Sequence, residues 1–301
     1  MDARVPIIVN ASSGSQRSSE FSVDLLSRFN AAGVKADLRL IKPGNLAAEL
    51  QRVISAKPAK LVVGGGDGTL SAAASTLVGA NVALGVLPLG TLNHFAKDLH
   101  IPLDLEGAIQ TIARGYTVKV DMGSVNDRHF INNSSLGLYP EVVADREAMR
   151  QRLGQTKWRA FAAAAFTVFR RYPWLHVRID IDGTEWARRT PFVFVGNNRY
   201  EMEGFGIGQR THLDEGVVSL YVANGTGRVG LLRLAVRALF NRLRQANDFD
   251  MTTAAAFQVE THHERLRVAN DGELLWIDTP LQYRVLPAAI SVIVPAPAAK
   301  P

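Results

Sequence analysis

A chain of 301 residues, 47% of them apolar, can fill the cores of two ordinary domains, which excludes global disorder. It has no cysteine, so disulfides, iron–sulfur clusters and thiolate zinc sites are excluded, and no apolar run reaches the roughly 20 residues of a membrane-spanning helix. A net charge of +6 suits nucleic acid, anionic lipid or phosphorylated small molecules, and only position along the chain can separate these.

Asp2 and Arg4 precede a strand-like run, which argues against a signal peptide and sets a cytosolic expectation. Residues 5–9 read as a strand ending in the polar turn Asn10-Ala11-Ser12-Ser13-Gly14. A helix over 21–32 stops at Gly33, where a C-terminal glycine belongs. A strand at 36–41, a helix at 46–56, a buried strand at 60–63, a helix at 70–78 and a strand at 82–87 follow. This alternation predicts a parallel α/β sheet. The nucleotide-binding domain is expected to span 1–122, with about 284–301 packing back on it.

The rhythm then changes. Strand-like segments at 119–125, 129–132, 175–181, 190–196, 217–223, 257–260 and 266–268 predict a mainly β domain over 123–283. Its turns include Asp182-Gly183 and Asp271-Gly272. Helical insertions are expected at 140–172 and 228–245, and the Pro/Ala-rich tail 295–301 reads as disordered.

The segment Leu61-Val62-Val63-Gly64-Gly65-Gly66-Asp67-Gly68-Thr69-Leu70 is a strand, a glycine turn and a helix start. Four glycines let the backbone approach a ligand with its N–H groups bare, and the helix dipole adds positive potential, so this is an anion pocket. It is also a tight turn in which Asp67 or Thr69 caps the helix, the bland alternative. No lysine follows before Lys97, so the Walker pattern is absent. Thr69 stands where the third glycine of the dinucleotide fingerprint would be, and no acid lies between Asp67 and Asp98 to hold a ribose. Asp67 among phosphate-binding amides implies a metal ion or water between carboxylate and triphosphate. A second segment, Pro88-Leu89-Gly90-Thr91-Leu92-Asn93-His94-Phe95-Ala96, should lie at the same edge, where Thr91 and Asn93 either bind phosphate or ribose or cap the next helix.

Together, Gly65-Gly66-Asp67-Gly68-Thr69 and Gly90-Thr91-Leu92-Asn93-His94-Phe95-Ala96 resemble the diacylglycerol kinase catalytic family, in its bacterial lipid kinase branch. The resemblance continues through Val120-Asp121-Met122-Gly123, Phe130-Ile131-Asn132-Asn133 and Asp271-Gly272-Glu273. It implies ATP, held by Asn10, Ser13, Gly14, Gly64, Gly65, Gly66, Asp67, Gly68, Thr69, Thr91 and Asn93. It implies Mg2+ on the nucleotide near Asp67 and Asp121, and a catalytic carboxylate at Asp271 or Glu273. His94 stands where relatives often carry Asp, so one negative member of that metal network is missing. The loop 209–217 resembles a structural Mg2+ loop, whose ligands would be Glu215 and the carbonyls of His212 and Val217. Glu215 is one methylene longer than the family's Asp.

The implied activity is transfer of the γ-phosphate of ATP to a lipid hydroxyl. The alternatives are a soluble-substrate kinase of the NAD kinase type and a nucleotide-binding regulator without turnover. In the 228–245 helix Arg233, Arg237 and Arg244 share one face, which suits core packing or contact with an anionic membrane surface. The aromatic and basic 140–172 insertion, with Trp158, Phe166 and Arg170, suits an acyl-chain cleft. A homodimer is compatible with the sequence, and no nucleic-acid module appears.

Overall fold

The structure, a computed structural model, describes residues 4–10, 19–137, 174–201, 209–223 and 249–296. The chain divides into two compact units, one made of residues 1–122 and 287–301 and the other of 123–286.

In the first unit strands and helices alternate: β1 (Val5–Asn10), α1 (Ser19–Ala31), β2 (Ala36–Ile41), α2 (Leu46–Ser55), β3 (Lys60–Gly65), α3 (Asp67–Leu77), β4 (Ala83–Pro88), α4 (His94–Asp98), α5 (Leu105–Arg114) and β5 (Tyr116–Val125). The strands β2, β1, β3 and β4 lie side by side and all run parallel. On one face of this sheet Ile7, Val9, Val62 and Leu87 pack with Leu25 and Phe29 of α1 and Ile109 and Ile112 of α5. Each such burial contributes about 1.5–3 kcal/mol. α1 ends where Gly33 turns to φ +81°, and Val34 N–H bonds back to Phe29 O at 2.9 Å. Asp104 caps α5 by accepting from Gly107 N–H at 2.7 Å.

The second unit continues with β6 (Arg128–Phe130), β7 (Asn133–Gly137), β8 (Leu175–Ile181), β9 (Thr184–Thr190), β10 (Phe192–Asn197), β11 (Val218–Ala223), β12 (Phe249–Ala254), β13 (Ala256–Thr261), β14 (Arg265–Asn270), β15 (Glu273–Asp278) and β16 (Leu281–Val294). One antiparallel sheet has the order β12-β11-β10-β7-β14-β15. A second antiparallel set joins the first half of β16 to β13, β8 and β9. Inward-facing Leu175, Val177, Ile179, Val193, Val195, Leu220, Val259 and Tyr283 form the core of this unit. Asp182-Gly183 and Asp271-Gly272 turn with both residues at positive φ, the conformation that tight hairpins favour. β5 and β16 run from one unit into the other, and β16 residues 291–292 pair with β4.

The α/β and mainly β halves follow the alternation read from the sequence. The expected strand at 129–132 is broken. β6 stops at Phe130 and β7 begins at Asn133, because the intervening N–H groups turn to a side chain described below. The segments 140–172 and 228–245, with Arg233, Arg237 and Arg244, lie outside the described residues. Among the described residues, no helix is long and apolar enough to cross a membrane.

Candidate functional site

Residues singled out in the sequence gather in two places, one in each unit. In the first, β3 delivers Gly64 and Gly65 to the carboxyl edge of the parallel sheet, and Gly66 becomes the N-cap of α3 with no side-chain cap bond. Gly66 O accepts from Thr69 N–H at 2.9 Å and Leu70 N–H at 3.1 Å. The N–H groups of Asp67 and Gly68 form no bond to any described residue, which leaves the positive end of α3 open.

The glycines of this loop differ in what requires them. A side chain on Gly90 would collide with the Gly66 backbone, and one on Gly65 would collide with Thr69. A Cβ on Gly64 would sit 3.0 Å from both Leu89 and Val9. These three are fixed by packing, since the two loops touch backbone to backbone. Gly68 is exposed and helical, and nothing among the described residues lies within 4 Å of a Cβ placed on it. The described residues give no packing reason for a glycine there, although glycine in a helix costs about 1 kcal/mol against alanine.

Asn10 at the end of β1 donates from Nδ2 to Thr69 Oγ1 at 2.9 Å. Its Oδ1 is buried with no hydrogen-bond partner among the described residues. Asp67 reaches across to the second loop, where Oδ1 accepts from Phe95 N–H in the first turn of α4 at 3.3 Å. Asn93, at φ +51°, is spent on its own loop: Oδ1 accepts from Gly90 N–H at 3.0 Å, and Nδ2 donates to Gly90 O at 3.0 Å and Pro88 O at 3.3 Å. Thr91 and His94 are exposed beside it. Ser13 and Gly14 lie outside the described residues.

Asp121 is buried in β5, and its Oδ1 accepts from Ala288 N–H at 2.8 Å, where β16 takes φ +51°. Among the described residues no three His, Asp or Glu side chains gather as a metal-binding group. Asp67, half-buried beside bare amides, has the chemistry to hold the metal of a bound nucleotide. Asp121 has one oxygen committed to the backbone.

In the second unit, the Asp271-Gly272 turn swings the Asp271 carboxylate into the gap between β6 and β7. Oδ2 accepts from Ile131 N–H at 2.8 Å, and Oδ1 accepts from Asn132 N–H at 2.8 Å and Asn133 N–H at 3.0 Å. Arg210 holds the other side of the same segment, where it is buried to 3% exposure. It donates to Ile131 O at 2.6 Å, to Asn132 Oδ1 at 2.8 Å and to Asn197 O at 3.2 Å. Its guanidinium also lies over the Tyr200 ring. Glu273, two residues past Asp271, is exposed at the start of β15. Sequence reasoning missed Arg210, which stands inside a loop quoted for other reasons, because nothing local distinguishes a buried arginine from a surface one.

In the loop 209–217, where Glu215 and the carbonyls of His212 and Val217 are the expected Mg2+ ligands, Glu215 Oε2 lies 3.6 Å from Arg199 Nε. Val217 O accepts from Asn198 N–H at 3.0 Å, and Asn198 Oδ1 accepts from Glu215 N–H at 3.1 Å. The loop is tied together by protein groups.

A parallel α/β unit with an open glycine loop, followed by a mainly β unit with a carboxylate turn, defines a class of two-unit proteins with an anion-accepting sheet edge. Comparison with known proteins narrows it. Residues 4–125 match the diacylglycerol kinase catalytic domain, and residues 135–294 match the YegS C-terminal NAD kinase beta sandwich-like domain. The chain belongs to this family of diacylglycerol kinase-like kinases, whose phosphate donor by family is ATP. Diacylglycerol kinases of Staphylococcus aureus strains RF122 and MRSA252 are each 29% identical over 227 residues, covering 74% of this chain and 71% of theirs. A crystal structure of a diacylglycerol kinase from Bacillus anthracis strain Sterne superposes with TM-score 0.72 at 24% identity, covering 98% of both chains. A second structure from that strain gives 0.74 at 23% identity, covering 99% of this chain and 98% of the other. These two likenesses speak to the fold.

Proposed function

We propose that the chain is an ATP-dependent lipid kinase that moves the γ-phosphate of ATP to the hydroxyl of a diacylglycerol-like lipid. The observation that carries this reading is the open amide pair of Asp67 and Gly68, in a loop whose exposed glycine has no steric reason to be one among the described residues. A triphosphate lying over Gly68 supplies that reason, and the unpartnered Asn10 Oδ1 gives a further polar contact for the nucleotide or its water. Asp67 would hold the nucleotide's Mg2+, which neutralises the oxygens of the transferred group when bound.

The chemistry balances without any other reactant. The lipid hydroxyl oxygen forms a bond to the γ-phosphorus, the bond from that phosphorus to the β–γ bridging oxygen breaks, and ADP leaves with the electron pair. The hydroxyl proton passes to a carboxylate of the Asp271-Gly272-Glu273 turn. Asp271 is fixed by three N–H groups, and Glu273 is exposed. The two therefore divide into one backbone-held and one solvent-exposed acceptor.

The test is transfer of labelled γ-phosphate to a lipid panel of diacylglycerol, phosphatidylglycerol, ceramide and a sphingoid base, with NAD as the soluble comparison. Mg2+-dependent labelling of a lipid is expected. Loss confined to Glu273→Gln assigns the proton to Glu273, and loss confined to Asp271→Asn assigns it to Asp271 only where ATP affinity and the thermal melt stay near wild type. Labelling of NAD with no lipid labelled would sink the proposal.

A further inference from the structure

The antiparallel set β13-β8-β9 carries a charge pattern that the kinase reading does not use. On its outer face the cross-strand rows can be read from the register. Glu260 of β13, Arg178 of β8 and Ala187 of β9 form one row, and Gln258, Asp180 and Glu185 form the next. Arg178 lies 3.9 Å from Glu260 and 3.7 Å from Glu185, so acids and base alternate in the ordinary way. The row above differs. His176 of β8 is paired with Arg189 of β9, and His262, the residue after β13, brings its ring centroid to 6.3 Å from that of His176.

No carboxylate among the described residues lies within 4 Å of Arg189, and its guanidinium is stacked at 4.8 Å over the Trp174 ring. Arg188, on the opposite face of the same strand, is satisfied by Asp250 at 3.4 Å. Like charges set directly opposite one another across strands are destabilising. The row of two imidazoles and a guanidinium has no acid in register. His176, His262 and Arg189 line a hollow of about 400 Å³ together with Arg178, Ala187, Arg188 and the carboxylate of Glu260, which Arg178 faces at 3.9 Å. That is room for a phosphate group and its water.

We propose that this hollow binds a phosphate-type oxyanion through His176, His262 and Arg189. Arg189 offers a planar donor fork, the aromatic face of Trp174 limits its swing, and the two imidazoles converge from the neighbouring strands. The chemistry fits the headgroup of an anionic phospholipid and also free phosphate. The inference is independent of the kinase reading, because every residue lies in the second unit and binding needs no ATP.

The experiment has two arms on the full chain. Sedimentation with phosphatidylcholine vesicles, with and without phosphatidic acid, reads the headgroup. Inorganic phosphate titrated against the imidazole proton resonances reads the free ion. Retention on the phosphatidic acid vesicles with silent imidazoles in phosphate assigns the site to a lipid, and the reverse assigns it to a soluble phosphate. In whichever arm binds, Arg189→Gln should weaken it about tenfold. Ala187→Glu, which places a carboxylate beside the row, should abolish it. Both positions are exposed on an edge strand, so circular dichroism should be unchanged. No binding in either arm, or equal binding by wild type and both variants, overturns the proposal.

Discussion

In the second unit, the N–H groups of Ile131, Asn132 and Asn133 converge on a carboxylate that the chain itself supplies, Asp271. In the first unit, the N–H groups of Asp67 and Gly68 converge on nothing among the described residues. Both are clusters of backbone donors at the end of a regular element. One is filled from within and therefore stabilises the fold. The other is left open at a small cost to the fold, which is how a chain keeps a place for an anion from outside. Glycine use follows the same division. Gly272, at φ +83°, serves the turn that carries Asp271 inward, while Gly68 meets no side-chain constraint among the described residues.

The largest expected effect comes from emptying the filled cluster. Asp271→Ala orphans three N–H groups, two of them on buried residues, and puts alanine at φ +47°. At about 1–3 kcal/mol for each orphaned buried donor, the loss should reach about 3 kcal/mol or more, read as a lowered urea midpoint. Asp271→Asn keeps one acceptor oxygen and tolerates the positive φ, so it should lose about half as much. Equal losses in the two variants would mean that the three bonds contribute little.

Opening the two loops of the first unit ranks next. Gly90→Ala drives a methyl into the Gly66 backbone, so stability should fall by about 2 kcal/mol and nucleotide affinity by at least about tenfold. Gly68→Ala makes the sharper comparison. With open space around the new Cβ and a helical backbone, it should raise stability by up to about 1 kcal/mol. Its nucleotide affinity should nevertheless fall about tenfold, because the methyl occupies the phosphate's approach. Calorimetric titration with ATP beside thermal melts separates the two signs. If Gly68→Ala bound nucleotide as well as wild type, the open cluster would have no ligand to explain it.

Legibility in the sequence divides along physical lines. The first unit was readable because buried parallel strands are short apolar runs, such as Leu61-Val62-Val63, and because glycines punctuate their ends. α5 escaped notice, although Asp104 caps it and Ile109 and Ile112 face the core. β9 was missed for a different reason. Thr184-Glu185-Trp186-Ala187-Arg188-Arg189-Thr190 is an edge strand exposed along most of its length, so no apolar alternation marks it. The donor cluster around Asp271 could not be read locally, since its partners lie 138–140 residues away and meet only through the sheet register. Arg210 is hidden in the same way, because it acts on Ile131 and Asn132 from almost 80 residues away. The glycine loop announced an anion site because its chemistry is contiguous in the chain. Asn93 looked like a ligand and instead closes its own loop, a distinction that rests on its left-handed backbone.

The smallest effect concerns how fully the second unit satisfies its own polar groups. Burial pushes the Tyr283 hydroxyl well above the usual tyrosine range, and the hydrogen bond with Ser134, at 3.1 Å, offsets only part of that. Burial likewise raises Tyr221, with the bond its oxygen accepts from Tyr200 N–H acting the other way. A group raised on folding contributes stability that is whole below its unfolded value and is lost as pH climbs toward the folded one. Stability should therefore be flat through neutral pH and fall above about pH 10, by up to roughly 1.4 kcal/mol per pH unit for each such tyrosine. Tyr283→Phe removes one of the two ionising groups, so the alkaline slope should drop to about half while Tyr221 keeps the rest. At neutral pH the variant should lose only about 1 kcal/mol, for the Ser134 hydroxyl left without its partner. Urea unfolding at several pH values gives both numbers. An unchanged alkaline slope would show that Tyr283 reaches water in the native state and that the core around Phe257 and Phe130 is more open than its packing indicates.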